Sequence, residues 1–161
     1  MKSILPVLAL IMGALAPAAQ GGESSTQIRM SAQEVLSDEL SRETATILNS
    51  LHGKDIHSVF RGYDLDSDNE CGTLIYYDAN DGSGPIHVSI FTIDWTRISD
   101  IRIKGSADIV VTGAILDWWD RDTKPALGIR MKSAAPAERV VAAMKMLQKE
   151  CARAAPAATL T

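Results

Sequence analysis

Residues 126–151 read ALGIRMKSAAPAERVVAAMKMLQKEC, and the hydrophobic period changes within this stretch. Leu127, Ile129 and Met131 alternate with glycine and basic residues, which is the period of two expected of a strand with one buried face. From Pro136 the period becomes helical, and proline is favoured at the first position of a helix. The stretch therefore predicts a half-buried strand followed directly by an amphipathic helix.

The predicted helix carries a cysteine on its apolar stripe. Val140, Met144, Leu147 and Cys151 are spaced i, i+4, i+7 and i+11, so they share one side of the helix. A stripe of this kind has to be buried against another element. We therefore expect the helix to pack on the sheet, with Cys151 facing a strand.

The chain has two cysteines, Cys71 and Cys151. Neither has a histidine or a second cysteine at zinc-site spacing, so in an oxidising compartment the pair indicates a disulfide. Closing a loop of about 80 residues stabilises a fold by roughly 4 kcal/mol on the chain-entropy account. The alternative is a reactive thiol, which requires an unpaired cysteine in an electropositive setting.

Residues 1–19 have the pattern of a cleavable signal peptide. Lys2 is followed by an apolar run over residues 4–15 and by small residues that permit cleavage after Ala18 or Ala19. A membrane anchor is the alternative, but this run is shorter than the roughly 20 residues that a spanning helix needs. We expect a secreted protein, with the bacterial periplasm as its default compartment and no membrane span after cleavage.

Removal of 19 of the 161 residues leaves 142, which suits a single domain. All 20 acidic residues and 15 of the 16 basic residues remain, so the mature net charge is −5. This acidity argues against nucleic acid as a partner. We expect a flexible lead over residues 20–30, one domain over 31–153 and a disordered tail over 154–161.

The remaining elements are predicted from the same periodicities. A first helix begins at Ser31, where Ser31 and Glu34 form a capping-box pair, and ends at Gly53. Its apolar stripe, at helical spacing, consists of Leu36, Leu40, Ile47 and Leu51. Strands are predicted at 56–63, 72–77, 86–95, 98–104, 109–119 and 127–131, with a bulge at Gly113. No helix connects one strand to the next, so the fold class is α+β. We expect an N-terminal helix, a bent antiparallel sheet of five to seven strands and a C-terminal helix packed on that sheet.

The segment Ile93-Asp94-Trp95-Thr96-Arg97-Ile98 would lie in the middle of this sheet. With the element order over residues 56–151, it resembles the pleckstrin-homology-like superfold, in which a C-terminal helix plugs a bent antiparallel sheet. The predicted N-terminal helix is an addition to that pattern. The superfold hosts many unrelated functions, so the resemblance implies no activity.

Three acidic residues invite a calcium interpretation. Asp64, Asp66 and Asp68 alternate as oxygen ligands do at the start of an EF-hand loop. The sixth position is Asn69 rather than glycine, and the twelfth, Ile75, offers no carboxylate. The alternative is a hairpin tip kept soluble by charge, and we expect neither a metal nor a cofactor.

The pair Trp118-Trp119 is the most suggestive feature for function. Adjacent strand residues point to opposite faces, so one tryptophan is expected in the core and the other outside. An exposed tryptophan beside Asp120 and Arg121 would suit a partner or a sugar face. The alternative is an aromatic residue that covers the edge of the sheet.

The sequence contains no G-x-S-x-G elbow and no zinc-protease histidine pair. We therefore expect a non-enzymatic binding module of the cell envelope, whose partner is a protein or an envelope component. Its acidity also fits an inhibitor or immunity protein directed at a basic hydrolase. The alternative is a small hydrolase or carbohydrate-active protein, whose two carboxylates can lie far apart in the sequence. Asp117, Asp120 and Asp122 lie within six residues, but beside Arg121 and Lys124 they are more simply an ion-rich loop.

Overall fold

The computed structural model describes residues 23–40, 45–48, 54–64, 67–79, 87–118 and 120–154. Predictions for the signal peptide, for Asp66, for Trp119 and for residues 155–161 lie outside these ranges. Within them, neither helix is both long and apolar enough to cross a membrane.

The first helix, α1, runs over Ser25–Glu39 and differs from its prediction at both ends. The Ser24 side chain accepts a hydrogen bond from the backbone nitrogen of Gln27 at 3.2 Å, so the helix is capped seven residues before Ser31. Residues 25–30, expected to be a flexible lead, are therefore helical. The helix ends when Leu40 takes an extended conformation, and Ile47 lies on a strand instead.

Six strands form the sheet in the described part of the chain. They are β1 (Ala45–Ile47), β2 (Lys54–Asp64), β3 (Ser67–Ala79), β4 (His87–Lys104), β5 (Asp108–Asp117) and β6 (Asp122–Met131). Each strand pairs antiparallel with the next, and β1 also pairs with β6. The sheet is thus a closed barrel, and the prediction of a bent antiparallel sheet was wrong in this respect. The closing strand is β1, which lies where the apolar spacing predicts a helix.

The bulge predicted at Gly113 is confirmed. The pairing register of β5 with β6 shifts between Thr112 and Ile115, and the register of β4 with β5 shifts around Ile98. A Cβ atom at Gly113 would lie 2.5 Å from the carbonyl oxygen of Arg97, closer than any side chain permits. β4 pairs with β5 on both sides of this contact between Gly113 and Arg97. The two strands predicted at 86–95 and 98–104 are therefore a single strand.

The second helix, α2, runs over Ala134–Ala154 and packs mainly on β4 and α1. Val140, Met144, Leu147 and Cys151 are all buried, as the periodicity predicted. Cys151 forms the predicted disulfide with Cys71 on β3, with a Cα–Cα distance of 5.5 Å. The bond ties α2 to one end of the barrel.

Buried polar contacts fix α1 to the barrel. The Gln33 side chain donates to the carbonyl of Gly72 at 3.0 Å and pairs with the hydroxyl of Thr73. That hydroxyl also accepts a hydrogen bond from the indole nitrogen of Trp95 at 2.8 Å. On the outer side, Arg139 of α2 contacts Glu39 at 2.5 Å. These bonds hold α1 beside β3 and join α1 to α2.

Candidate functional site

The outer surface of β2 to β5 carries apolar side chains on a face that water reaches. Directly opposed residues of antiparallel strands point to the same side of the sheet. Two adjacent rows of such partners form this surface, the first being Phe60, Leu74, Thr92 and Leu116, and the second Ser58, Tyr76 and Ile90. The backbone nitrogen of Trp118 donates to the carbonyl of Ile90 at 2.9 Å, so Trp118 extends the second row. Val88 lies two residues before Ile90 on the same side of β4 and begins a third row, opposite Asp78. We call the apolar members of this surface the aromatic face: Phe60, Leu74, Tyr76, Val88, Ile90, Leu116 and Trp118.

Three members of the aromatic face are more than half exposed. Phe60 is 54%, Val88 56% and Trp118 56% accessible. With 150–250 Å² per aromatic side chain, Phe60 and Trp118 alone leave on the order of 200 Å² of apolar surface in water, and Val88 adds to it. A contiguous apolar patch of a few hundred Å² marks an interaction site more often than scattered exposed residues do.

Trp118 lies immediately after β5 rather than within a strand, because β5 ends at Asp117. Its indole nitrogen donates to the hydroxyl of Thr92 at 2.9 Å, which holds the ring against the outer surface of β4. At the other side of the aromatic face, the rings of Phe60 and Tyr76 meet edge to face with centroids 5.5 Å apart. The face is therefore framed by oriented aromatic rings.

Asp120 and Arg121 follow Trp118 in the turn between β5 and β6. Both are exposed, and Arg121 adopts a positive φ of 54°. The Asp120 carboxylate contacts the ammonium group of Lys124 at 2.7 Å. Of the four residues predicted to bind a partner, the structure thus brings Trp118, Asp120 and Arg121 together in one exposed turn.

The charged groups around the aromatic face are mainly acidic. Asp78 opposes Val88, Asp94 lies two residues from Thr92 on β4, and Asp120 follows Trp118. Glu34 and Asp38 of α1 border Phe60. Two guanidinium groups, those of Arg61 and Arg121, accompany these five carboxylates. Asp78 is buried and contacts His57, and Asp120 contacts Lys124, so Glu34, Asp38 and Asp94 carry most of the acidic character of the rim. A rim of this composition favours a partner of opposite charge.

A cleft continues the aromatic face between α1 and β2. It has a volume of about 420 Å³ and is lined by Met30, Gln33, Val59 and Phe60 among others. Met30 is 43% exposed, so the apolar surface extends from the sheet onto the helix. The cleft is large enough to take one side chain of a partner.

The end of the barrel remote from the disulfide holds a buried tyrosine–carboxylate pair. Tyr77 and Asp117 are 0% and 2% exposed, and the Tyr77 hydroxyl donates a hydrogen bond to the Asp117 carboxylate. The Tyr77 ring also stacks on Phe91 at 4.5 Å between centroids. Burial, and then the bond to Asp117, raises the pKa of Tyr77, so the phenol keeps its proton.

A cavity of about 330 Å³ opens beside this pair at the end of the barrel. Asp117, Asp120 and Lys124 line it, together with Ile47, Phe91 and Pro125. The Lys124 ammonium lies 3.7 Å from Asp122 as well as 2.7 Å from Asp120. The hydrogen bond to Asp120 raises the pKa of Lys124. We call this cavity the barrel mouth.

The calcium hypothesis is not tested by the structure. Asp66 lies outside the described residues, and the side chains of Asp64 and Asp68 are not among those described. Among the residues that are described, no three histidine, cysteine, aspartate or glutamate side chains converge as metal ligands. His57 contacts Asp78 beside the aromatic face.

Sequence reasoning missed Phe60, Tyr76 and Val88 as members of a surface. A signal was present, since the segments 72–77 and 86–95 are apolar at both odd and even positions. A strand that is apolar on both faces is either packed against other elements on both faces or exposes one apolar face as a binding surface.

Comparison of the chain with protein-family models, with curated proteins and with solved structures finds no match.

Proposed function

We propose that this chain is an exported, non-enzymatic binding module whose protein partner docks on the aromatic face. The observation that carries the proposal is the exposure of Phe60, Val88 and Trp118 on one contiguous outer surface of the barrel. Residues 1–19 and the Cys71–Cys151 disulfide support export to an oxidising compartment, with the periplasm as the default.

The aromatic face suits a partner with an apolar centre and a basic rim. Burying the apolar side chains supplies the main driving force, since each Å² removed from water is worth about 25 cal/mol. The carboxylates of Glu34, Asp38 and Asp94 at the edge of the face would steer a basic surface into register and penalise an acidic one. This chemistry fits an inhibitor or immunity protein that covers a basic enzyme.

Trp118 has the attributes of a central binding residue. Tryptophan and tyrosine are enriched among the residues that dominate binding energy, and they lose little entropy when their rings are already oriented. The bond to Thr92 orients Trp118 before any partner arrives. Truncating it should therefore weaken binding far more than it changes the fold.

Differential capture from an envelope extract tests the proposal. Immobilised wild-type protein is compared with a Phe60→Ala/Trp118→Ala variant and with a Met146→Ala control, because Met146 is also exposed at 44% but lies on α2. We expect a basic protein to be retained by wild type and by the control and lost from the double variant. Equal capture by all three would refute docking on the aromatic face.

One observation favours the second candidate, a small hydrolase or carbohydrate-active protein. Asp117 and Asp120 both line the barrel mouth, where the sequence predicted only an ion-rich loop. Two carboxylates at one cavity are the minimum that glycoside hydrolysis requires. Release of nitrophenol from nitrophenyl glycosides, abolished in an Asp117→Asn variant, would support this candidate over the first.

A further inference from the structure

We infer that the barrel mouth is a separate binding site for a small neutral sugar. It opens at the end of the barrel, where its wall includes the buried side chains of Ile47, Phe91 and Asp117, whereas the aromatic face lies on the outer wall. The two sites are distinguished by the direction of neighbouring residues, since Asp117 points into the barrel and Trp118 lies against the outer surface of β4. The inference goes beyond the proposed protein-binding function and does not depend on it.

The first element of the site is an acceptor in a fixed position. Asp117 is buried, and the Tyr77 hydroxyl holds one of its oxygens. Stacking on Phe91 fixes the Tyr77 ring in turn. A ligand hydroxyl that reaches Asp117 therefore meets a carboxylate whose orientation is already set, which lowers the entropic cost of binding.

The second element is a charged donor beside a second acceptor. Lys124 and Asp120 lie 2.7 Å apart on the cavity wall, and this contact raises the pKa of Lys124 further above neutral pH. A sugar hydroxyl can accept from an ammonium group while it donates to a carboxylate. The pairing of Lys124 with Asp120 thus suits the two-way hydrogen bonding of neighbouring hydroxyls.

The third element is the apolar part of the wall. Ile47, Phe91 and Pro125 line the same cavity as the charged groups. The C–H face of a pyranose ring is apolar, and it packs on such surfaces while the hydroxyls at the ring edge reach polar groups. The cavity volume of about 330 Å³ is at the lower end of the range for ligand pockets, roughly 300–1,000 Å³. One or two sugar rings are the size of ligand that this volume accommodates.

Charge selects against anionic ligands. Asp117 and Asp120 contribute two negative charges to the wall and Lys124 one positive charge. Asp122 adds a further carboxylate 3.7 Å from Lys124. A phosphorylated or acidic sugar would face this net negative field in a partly enclosed cavity, where screening by solvent is weak.

Titration of isotopically labelled protein, followed through its amide NMR signals, tests the inference. The probes are D-glucose, D-galactose and N-acetyl-D-glucosamine, with glucose 6-phosphate as the anionic comparison. We expect at least one neutral sugar to shift the amide signals of Phe91, Lys124 and Ala126 saturably at millimolar concentration, and glucose 6-phosphate to bind more weakly. Absence of saturable shifts with all three neutral sugars would overturn the inference. Tighter binding of glucose 6-phosphate than of every neutral sugar would overturn it as well.

Variants locate the site. Asp120→Asn removes an exposed charge and should weaken the best sugar by about tenfold or more, the loss expected when a hydrogen bond to a charged group is removed. Asp117→Asn should lower the affinity for this sugar further. Asp100→Asn, on the exposed surface of β4, should leave the affinity unchanged. Trp118→Ala should also retain sugar binding. An unchanged affinity in Asp120→Asn, or a loss in Trp118→Ala, would place the sugar elsewhere and refute the inference.

Discussion

The indole nitrogen of Trp118 lies 2.9 Å from the hydroxyl of Thr92, and this bond joins the turn after β5 to the outer surface of β4. The ring remains 56% exposed although its nitrogen is bonded. The fold therefore fixes the orientation of the Trp118 ring but leaves more than half of the side chain exposed to water. Trp95, in contrast, is fully buried and bonded to Thr73.

The two tryptophans should differ sharply in their contribution to stability. We expect Trp118→Ala to lower the free energy of unfolding by no more than about 1 kcal/mol, as exposed substitutions do. Trp95→Ala should lower it by about 3–5 kcal/mol, because it opens a cavity and removes the indole donor from Thr73. Urea denaturation measures both values. Comparable losses in the two variants would show that Trp118 has a structural role and would contradict its assignment as a binding residue.

The Cys71–Cys151 disulfide should be a major source of stability. We expect a Cys71→Ser/Cys151→Ser variant to lose roughly 4 kcal/mol of unfolding free energy, because the unfolded chain regains the freedom of a loop of about 80 residues. Denaturation of both proteins under the same buffer conditions gives the difference.

Intact-mass analysis of natively isolated protein should also show a chain that lacks residues 1–18 or 1–19 and carries no free thiol. A full-length chain with two free thiols would contradict export.

Gly113 should tolerate no side chain. A Cβ atom there would meet the Arg97 carbonyl oxygen at 2.5 Å and the Ile98 Cα at 2.8 Å, both of them backbone atoms that cannot move aside. Gly105 is the matched control, since its φ is 69° but no atom lies within 4 Å of the position that a Cβ would take. We expect Gly105→Ala to cost about 1 kcal/mol for its left-handed backbone and Gly113→Ala to cost clearly more. Equal melting temperatures of the two variants would mean that the bulge is not sterically required.

The contact between Ser25 and Glu150 should make part of the stability depend on pH. The Ser25 hydroxyl donates to the Glu150 carboxylate at 2.7 Å, and this bond is the main cause of a lowered pKa of Glu150. A carboxyl whose pKa is lower in the folded state stabilises the fold above its unfolded pKa of about 4.3. That contribution is lost as the pH falls through the lowered folded value.

A Ser25→Ala variant isolates this effect. Its deficit in unfolding free energy relative to wild type should be present at pH 7 and should shrink as the pH is lowered below about 4. Chemical denaturation of both proteins across this range provides the measurement. A deficit that is constant with pH would show that Glu150 titrates independently of Ser25.

The sequence predicted the parts of the fold that depend on strong, uninterrupted periodicity. The strand that contains Leu127 and Ile129 and the helix that carries Cys151 were found in this way. The disulfide was predicted from the number of cysteines and the bulge from a glycine within a strand. The prediction of secondary structure failed where a few apolar residues were compatible with both the helical and the strand period. Ile47 shares a helical spacing with Leu36 and Leu40, but it lies on β1. This strand pairs with β6, with Ile47 opposite Ile129, and thereby closes the barrel.

The candidate sites were only partly predictable, because they depend on register. Trp118, Asp120 and Arg121 are neighbours in the chain, so sequence alone brought them together. Membership of the aromatic face, in contrast, follows from cross-strand pairs such as Phe60 with Leu74, and the partner of Tyr77 at the barrel mouth is 40 residues away. Periodicity shows that a residue faces outward or inward but does not identify its cross-strand neighbour.

Site-specific photo-crosslinking tests the central claim most directly. A benzophenone amino acid placed at Val88, within the aromatic face, is compared with the same group at Met146 on α2, both exposed positions, in cells that export the protein. We predict a crosslinked adduct with one basic protein from position 88 and none from position 146, and loss of the adduct when Trp118→Ala is added. Absence of an adduct at position 88, or the same adducts from both positions, would contradict the aromatic face as the partner-binding surface.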